Sequence, residues 1–161
     1  PEAAISSAAS AMIAQNMGKK DVKRSSKTMH CCLVLCIAVS LVVFTLMHIF
    51  PEQIFHLFGV KEDVLTYGLS YIFAFSFEYV GLPFIMSFNT VSTATGNGWI
   101  TLVTNMISAF IVRIPLAYVL AFICGLGISG IAIAIPIATA VGAIISFLFY
   151  QFGIWKKHIL L

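Results

Sequence analysis

Charge is scarce in these 161 residues: nine Lys or Arg and six Asp or Glu make up 9% of the chain, against 60% hydrophobic residues and a mean hydropathy of +1.03. So little polar surface excludes a water-soluble globule of this size, and nine cations are too few to build a nucleic-acid-binding face. The first residues, Pro1-Glu2-Ala3-Ala4, lack an initiator Met and the basic start, short apolar run and small-residue cleavage site of a signal peptide. The chain therefore reads as beginning inside a larger protein. A convincing nucleophile–base pair and a metal-ligand spacing are also lacking, which argues against a membrane enzyme, a metal site or a bound cofactor. Cys31, Cys32 and Cys36 fall near one membrane face and Cys124 near the other, too far apart for a bridge to Cys124. Those thiols, with His30, His48 and His56, read as packing and structural residues.

What the sequence does have is long apolar runs. Met29 to Phe50 is 22 residues, about 33 Å of helix against a hydrocarbon core of about 30 Å. Leu65 to Ala94 is longer and should tilt, protrude or kink at Pro83. Ile100 to Cys124 and Ile128 to Phe152 follow, separated by Gly96-Asn97-Gly98 and Gly125-Leu126-Gly127. Ala3 to Met17 is a short run that should stop at Gly18. The expected fold is an all-α, polytopic membrane helix bundle of four full spans plus one partial span.

Lys19, Lys20, Lys23, Arg24 and Lys27 crowd the first connection, whereas Glu52, Glu62 and Asp63 mark the second. Cytoplasmic loops collect Lys and Arg, so the first connection and the C-terminus, with Lys156 and Lys157, should lie inside. Trp99 and Trp155 then fall at the inner interface, and Pro51 to Val60 suits a short element on the outer surface.

Glu78 and Arg113 are the charges near the middle of long apolar runs. A charge at the bilayer centre costs about 2.5–3.5 kcal/mol even on lenient scales, so such a residue faces a partner, a protein interior or a wet path. Glu78 lies about 20 Å inward from Leu65 and Arg113 about 15 Å inward from Cys124, depths that permit pairing. Three roles are open for Glu78: a structural ion pair, a substrate or ion path, and an interfacial location. On a straight helix Tyr67, Tyr71, Glu78, Ile85, Asn89, Ser92 and Gly96 fall within about 40° of one direction, a polar stripe that lipid would penalise. Tyr71, Glu78 and Asn89 are the candidate ion- or substrate-binding residues. Pro83 removes a backbone hydrogen bond near Glu78, and Pro115 frees the carbonyl of Ile111, a second acceptor for Arg113.

Gly130, Ala134, Ala138, Gly142 and Ser146 recur every fourth residue and offer a groove for close helix approach. Ala4, Ala8 and Met12, with Ser7 and Ala11, hint at a similar face on the partial helix. Thr101, Asn105 and Ser108 line one side of the fourth run, for packing or for a cavity.

The order Ala14-Gln15-Asn16-Met17-Gly18-Lys19, Ile54-Phe55-His56-Leu57-Phe58, Thr95-Gly96-Asn97-Gly98, Arg113-Ile114-Pro115-Leu116-Ala117-Tyr118 and Gly127-Ile128-Ser129-Gly130-Ile131 resembles the MATE family of multidrug and toxic compound extrusion transporters. The resemblance implies a twelve-helix exporter of two six-helix bundles in the plasma membrane, exchanging amphipathic or cationic compounds for Na⁺ or H⁺ by alternating access. Residues 1–161 would be the end of the eighth helix through the twelfth, with the N-terminal bundle of the same protein as a missing partner. It also implies an acidic cation site in the tenth helix, here Leu65 to Ala94. A lipid-linked-substrate flippase of the same superfamily and a non-transport scaffold are the alternatives.

Overall fold

The structure, a computed structural model, describes residues 1–59, 62–153 and 155. Among the described residues the regular elements are helical: α1 (Glu2–Gly18), α2 (Val22–Ile49), α3 (Pro51–Leu57), α4 (Glu62–Ser76), α5 (Glu78–Ala94), α6 (Gly98–Ile123) and α7 (Gly127–Gln151). Helices α2, α6 and α7 are each long and apolar enough to cross a membrane, and α4 with α5, taken together as one bent pair, is long and apolar enough for a fourth crossing. With the 17-residue α1 this is the four-and-a-part bundle expected from the runs. Val34, Leu41, Phe73, Ile111 and Phe122 are all more than half exposed, as suits helices that face acyl chains.

The long third run is where sequence and structure diverge most. Its two halves meet at 41°, and the break falls at Phe77 rather than at Pro83. Proline six residues into α5 lacks the N–H that would bond one turn back and crowds the carbonyl there, so the helix restarts at Glu78 with Pro83 buried inside the new segment. The restart puts a carboxylate in the first turn of a half-helix, where the unpaired amides and the helix dipole favour negative charge.

The turns carry a second correction. Helix α1 stops at Gly18 as expected, but the residue in the left-handed region is Lys20 (φ 58°). Asp21 N–H donates to the Asn16 carbonyl at 2.9 Å and Lys20 N–H to that of Met17 at 2.9 Å, a Schellman closure built on a lysine. The same two bonds close α5, from Asn97 to Ser92 and Gly96 to Thr93, there with glycine in the left-handed position (φ 79°). Asp21 then caps α2 by accepting from Arg24 N–H at 2.9 Å. Asp21→Ala should weaken the α2 start by about 1 kcal/mol, read as a lower unfolding midpoint in detergent, while Asp21→Asn should hold it; equal losses would show that charge, not capping, matters.

Helix α7 packs on α4, α5 and α6, and α1 packs on α2 and α5. The small-residue face of α7 is buried throughout, from Gly130 to Ser146. A Cβ on Gly130 would sit 2.7 Å from the Leu120 carbonyl carbon and 2.8 Å from Ala121 N, so the α6 and α7 backbones touch there. On α1 the expected Ala4, Ala8, Met12 face is exposed, and Glu2, Ser6, Ala9, Ile13 and Asn16 are buried instead. That helix is small-residue and polar nearly all round, so its sequence could not choose a side; the packed neighbours do.

Ile13, Met29, Phe88, Val91 and Trp155 form the inner core, with Tyr150 stacked on Trp155 at 5.4 Å. Trp155 is therefore a core residue, unlike the half-exposed Trp99. Tyr150 and Ser26 share a hydrogen bond of 3.1 Å, which puts the end of α7 beside the basic connection as the loop charges required. Lys61, Lys156 and Lys157 lie outside the described residues. Helix α3 buries none of its side chains in the bundle, in keeping with a surface element.

Candidate functional site

Arg113 reaches Glu78 from the opposite helix. Its Nη2 donates to Glu78 Oε1 at 3.3 Å and to Thr139 Oγ1 at 3.3 Å, and the Thr139 hydroxyl donates to the same Glu78 oxygen at 3.1 Å. Three helices thus meet in one polar triangle: α5 supplies the acid, α6 the base and α7 the hydroxyl. Helix α6 delivers Arg113 through a widened stretch, Ile107–Arg113, followed by Pro115 and a second widened stretch, Val119–Ile123. Such π-type turns insert an extra residue per turn and re-aim the side chains that follow. The guanidinium selects the carboxylate rather than the Ile111 carbonyl as its acceptor.

The pair is unequally buried. The Glu78 side chain is 15% exposed and that of Arg113 39%, and both border a cavity of about 580 Å³ between α1, α5, α6 and α7. Asn89 and Ser10 line the same cavity. Thr101, Asn105 and Ser108 line it too, so the stripe on the fourth run faces a cavity, and two of the three also tie helices together: Ser108 donates to the Ala138 carbonyl at 2.7 Å and Thr101 to the Asn89 carbonyl at 3.3 Å. Asn89 is held by Ser146, whose hydroxyl donates to Oδ1 at 2.8 Å, leaving the Asn89 amide N–H₂ for the cavity side. This is a polar chamber inside an apolar bundle, with one ion pair at its wall.

The straight-helix stripe does not survive the break at Phe77. Glu78 and Asn89 share the chamber, but Tyr71 lies beyond the bend, stacked on Phe75 at 5.7 Å and away from the chamber wall. Tyr67 is 63% exposed. Pro83 is buried on a different side, next to Ser40 and Tyr79, and Pro115 is exposed. Sequence reasoning missed Thr139, a lone hydroxyl in the run Ile137-Ala138-Thr139-Ala140, one residue off the small-residue stripe. It also passed over Glu2, which has no apolar run before it from which a depth can be counted. A larger groove of about 840 Å³ between α1 and α2 has apolar walls and a basic rim of Lys23, Arg24 and Lys27. Cys32 and Cys36 are buried free thiols, and His48 packs among Phe44, Phe73 and Phe77.

A lipid-facing bundle of broken and unbroken spans around a polar chamber is the architecture of a multi-pass membrane protein. The MatE family model matches residues 1–119, and the chain belongs to that family. It is 28% identical over 97% of its length to the probable multidrug resistance protein YpnP of Bacillus subtilis (strain 168), of which it covers 35%. Among solved structures it is similar to the inward-facing conformation of a multidrug resistance MATE family transporter of the MOP superfamily, with a TM-score of 0.86 at 21% identity over 94% of this chain and 36% of that one. It is equally similar to an outward-facing conformation of such a transporter, with a TM-score of 0.86 at 20% identity over 94% of this chain and 35% of the other. The chain spans about a third of the length of the curated relatives it matches.

Proposed function

We propose that residues 1–161 are the C-terminal part of a secondary-active multidrug exporter, from the end of its eighth helix through its twelfth, working with an N-terminal bundle of the same protein. The transported compounds are amphipathic or cationic organic molecules, the driving ion is Na⁺ or H⁺, and the C-terminus lies on the cytoplasmic side of the plasma membrane. The protein moves its substrate without changing it. The observation that carries this reading is the Glu78–Arg113–Thr139 triangle at the wall of a polar chamber inside a lipid-facing bundle.

In that role Glu78 is the switching group. While ionised it holds Arg113 and Thr139 together; a proton or Na⁺ on its carboxylate weakens that hold and changes which packing of α5 against α6 and α7 is preferred. The equal likeness to inward- and outward-facing structures supports a segment that keeps its internal packing while it moves as a body against the other bundle. Asn89 and the hydroxyls of the chamber supply neutral hydrogen bonds to substrate or ion.

The intact transporter in vesicles tests the proposal. A gradient of a lipophilic organic cation should drive counterflow of Na⁺ or H⁺ above the leak of protein-free vesicles. Counterflow driven instead by lipid-linked precursors would assign the chain to a flippase, and no substrate-dependent ion flux would leave only a scaffold.

A further inference from the structure

We propose that Glu2 is the charged centre of a second site, for a small monovalent cation (Na⁺ or a proton), between α1, α2 and α5 and apart from the Glu78–Arg113 pair. Binding at this site stands on geometry; its contribution to transport rests on the exporter reading above.

Glu2 is only 6% exposed, deeper than Glu78. Its Oε1 accepts a 2.7 Å hydrogen bond from Ser40 on α2, while Oε2 is buried with no hydrogen-bond partner. One turn along the same face, the Ser6 hydroxyl is also buried and without a partner, at 9% exposure. A carboxylate oxygen and a hydroxyl oxygen, with a third oxygen on Ser40 and the Cys36 thiol beside Ser6, form an anionic niche. Leaving a carboxylate oxygen dry and unpaired is costly, and a cation removes that cost.

Among the described residues no Lys, Arg or His is within ion-pair distance of Glu2. The titratable groups that face it are Cys36 from α2 and Tyr79 from α5; Tyr79 lies within electrostatic reach of Glu78 as well. Pro1 adds no side-chain charge. The basic cluster is remote, since Lys27 stands 13 residues before Ser40, about 20 Å along α2.

The depth is that of the first site. Glu2 opens the 17-residue α1 and Glu78 the 17-residue α5, helices that pack together, so each carboxyl stands about 24 Å from the inner end of its helix. Ser6 belongs to the chamber wall, which gives an ion a polar way in from the chamber to Glu2. Two acids at one level, one paired with arginine and one without a counter-charge among the described residues, divide naturally into a switch and a cation seat.

Thermal unfolding of the intact transporter in detergent tests this, because a cation that binds the folded state raises the midpoint. NaCl replacing choline chloride at fixed pH reads Na⁺; lowering pH at fixed ionic strength and without Na⁺ reads the proton. At least one of the two should raise the wild-type midpoint by several degrees, Glu2→Gln should lose the part of that rise owed to its own site, and Glu2→Gln combined with Glu78→Gln should show less of it than Glu78→Gln alone. A response unchanged in Glu2→Gln, or a wild type that responds to neither cation, overturns the site. Should Glu2→Gln not fold, Ser40→Ala replaces it: the response should then need several-fold more cation, and an unshifted response overturns the site equally. Loss of the response in Glu2→Gln with no substrate-driven flux in wild-type vesicles would keep the site and remove the exporter reading. Normal flux with an unaltered response would remove the site alone.

Discussion

Glu78→Gln in the intact transporter should abolish ion-coupled efflux while leaving the protein in the membrane in normal amount. Glutamine keeps the shape and still accepts from Arg113 and Thr139, but it carries no charge and takes up neither a proton nor Na⁺. Each tenfold loss of the ion-driven gradient corresponds to about 1.4 kcal/mol of missing coupling, and the expected loss is at least tenfold. Folding should suffer much less. Breaking a fully buried pair strands a charge at about 3–5 kcal/mol, yet the Arg113 side chain is 39% exposed to the chamber, where water can take over part of the lost contact. Thr139→Val should show the opposite balance, with coupling retained and only the geometry of the pair loosened. Efflux in Glu78→Gln that still follows the ion gradient at the wild-type ratio would strip Glu78 of this role.

The largest effect on stability should come from Gly130→Ala. A single added methyl there meets main-chain atoms of Leu120 and Ala121 at 2.7 and 2.8 Å, and main chain cannot swing aside, so α6 and α7 must separate. Overpacking of this kind costs about 1–3 kcal/mol, and the widened turn Val119–Ile123 would have to deform with it. Gly142→Ala is the matched control. Its methyl would meet the tip of Ile85 at 2.7 Å and the Ser108 hydroxyl at 3.2 Å, and the isoleucine end can rotate away. The unfolding midpoint in detergent should therefore fall clearly for Gly130→Ala and little for Gly142→Ala; equal midpoints would mean that the two backbones do not touch at Gly130.

Much of this architecture was legible because lipid leaves few options. Runs of apolar residues long enough to span, glycines between them and the sidedness of Lys and Arg gave the spans, their order and the shared end of α7 and the basic connection. Depth counting along two runs places Glu78 and Arg113 at levels that permit the pair, with other roles for Glu78 left open. The misreadings have local causes. The stripe through Tyr71 assumed an unbroken helix, whereas the run breaks at Phe77, six residues before Pro83. Gly18 does end α1, but it is not the left-handed cap, because the Schellman bonds to Asn16 and Met17 set that residue at Lys20. Thr139 and Glu2 carried no periodic signal, since a hydroxyl in an apolar run and an acid with nothing before it gain meaning only from what packs against them. Ser108 and Thr101 were seen as a stripe, and only the neighbours decide that the stripe meets a chamber.

The Glu78–Arg113 pair also bears on how the protein would respond to voltage. Opposite charges 3.3 Å apart carry no net charge, so the membrane potential pulls on the closed pair only weakly. Neutralise the carboxylate and the guanidinium alone remains in the field, worth about 2.3 kcal/mol per 100 mV if it crossed the whole bilayer and proportionally less for a part of it. The same event that loosens the helices would then switch on a gating charge, tying the direction of motion to the electrical polarity of the membrane.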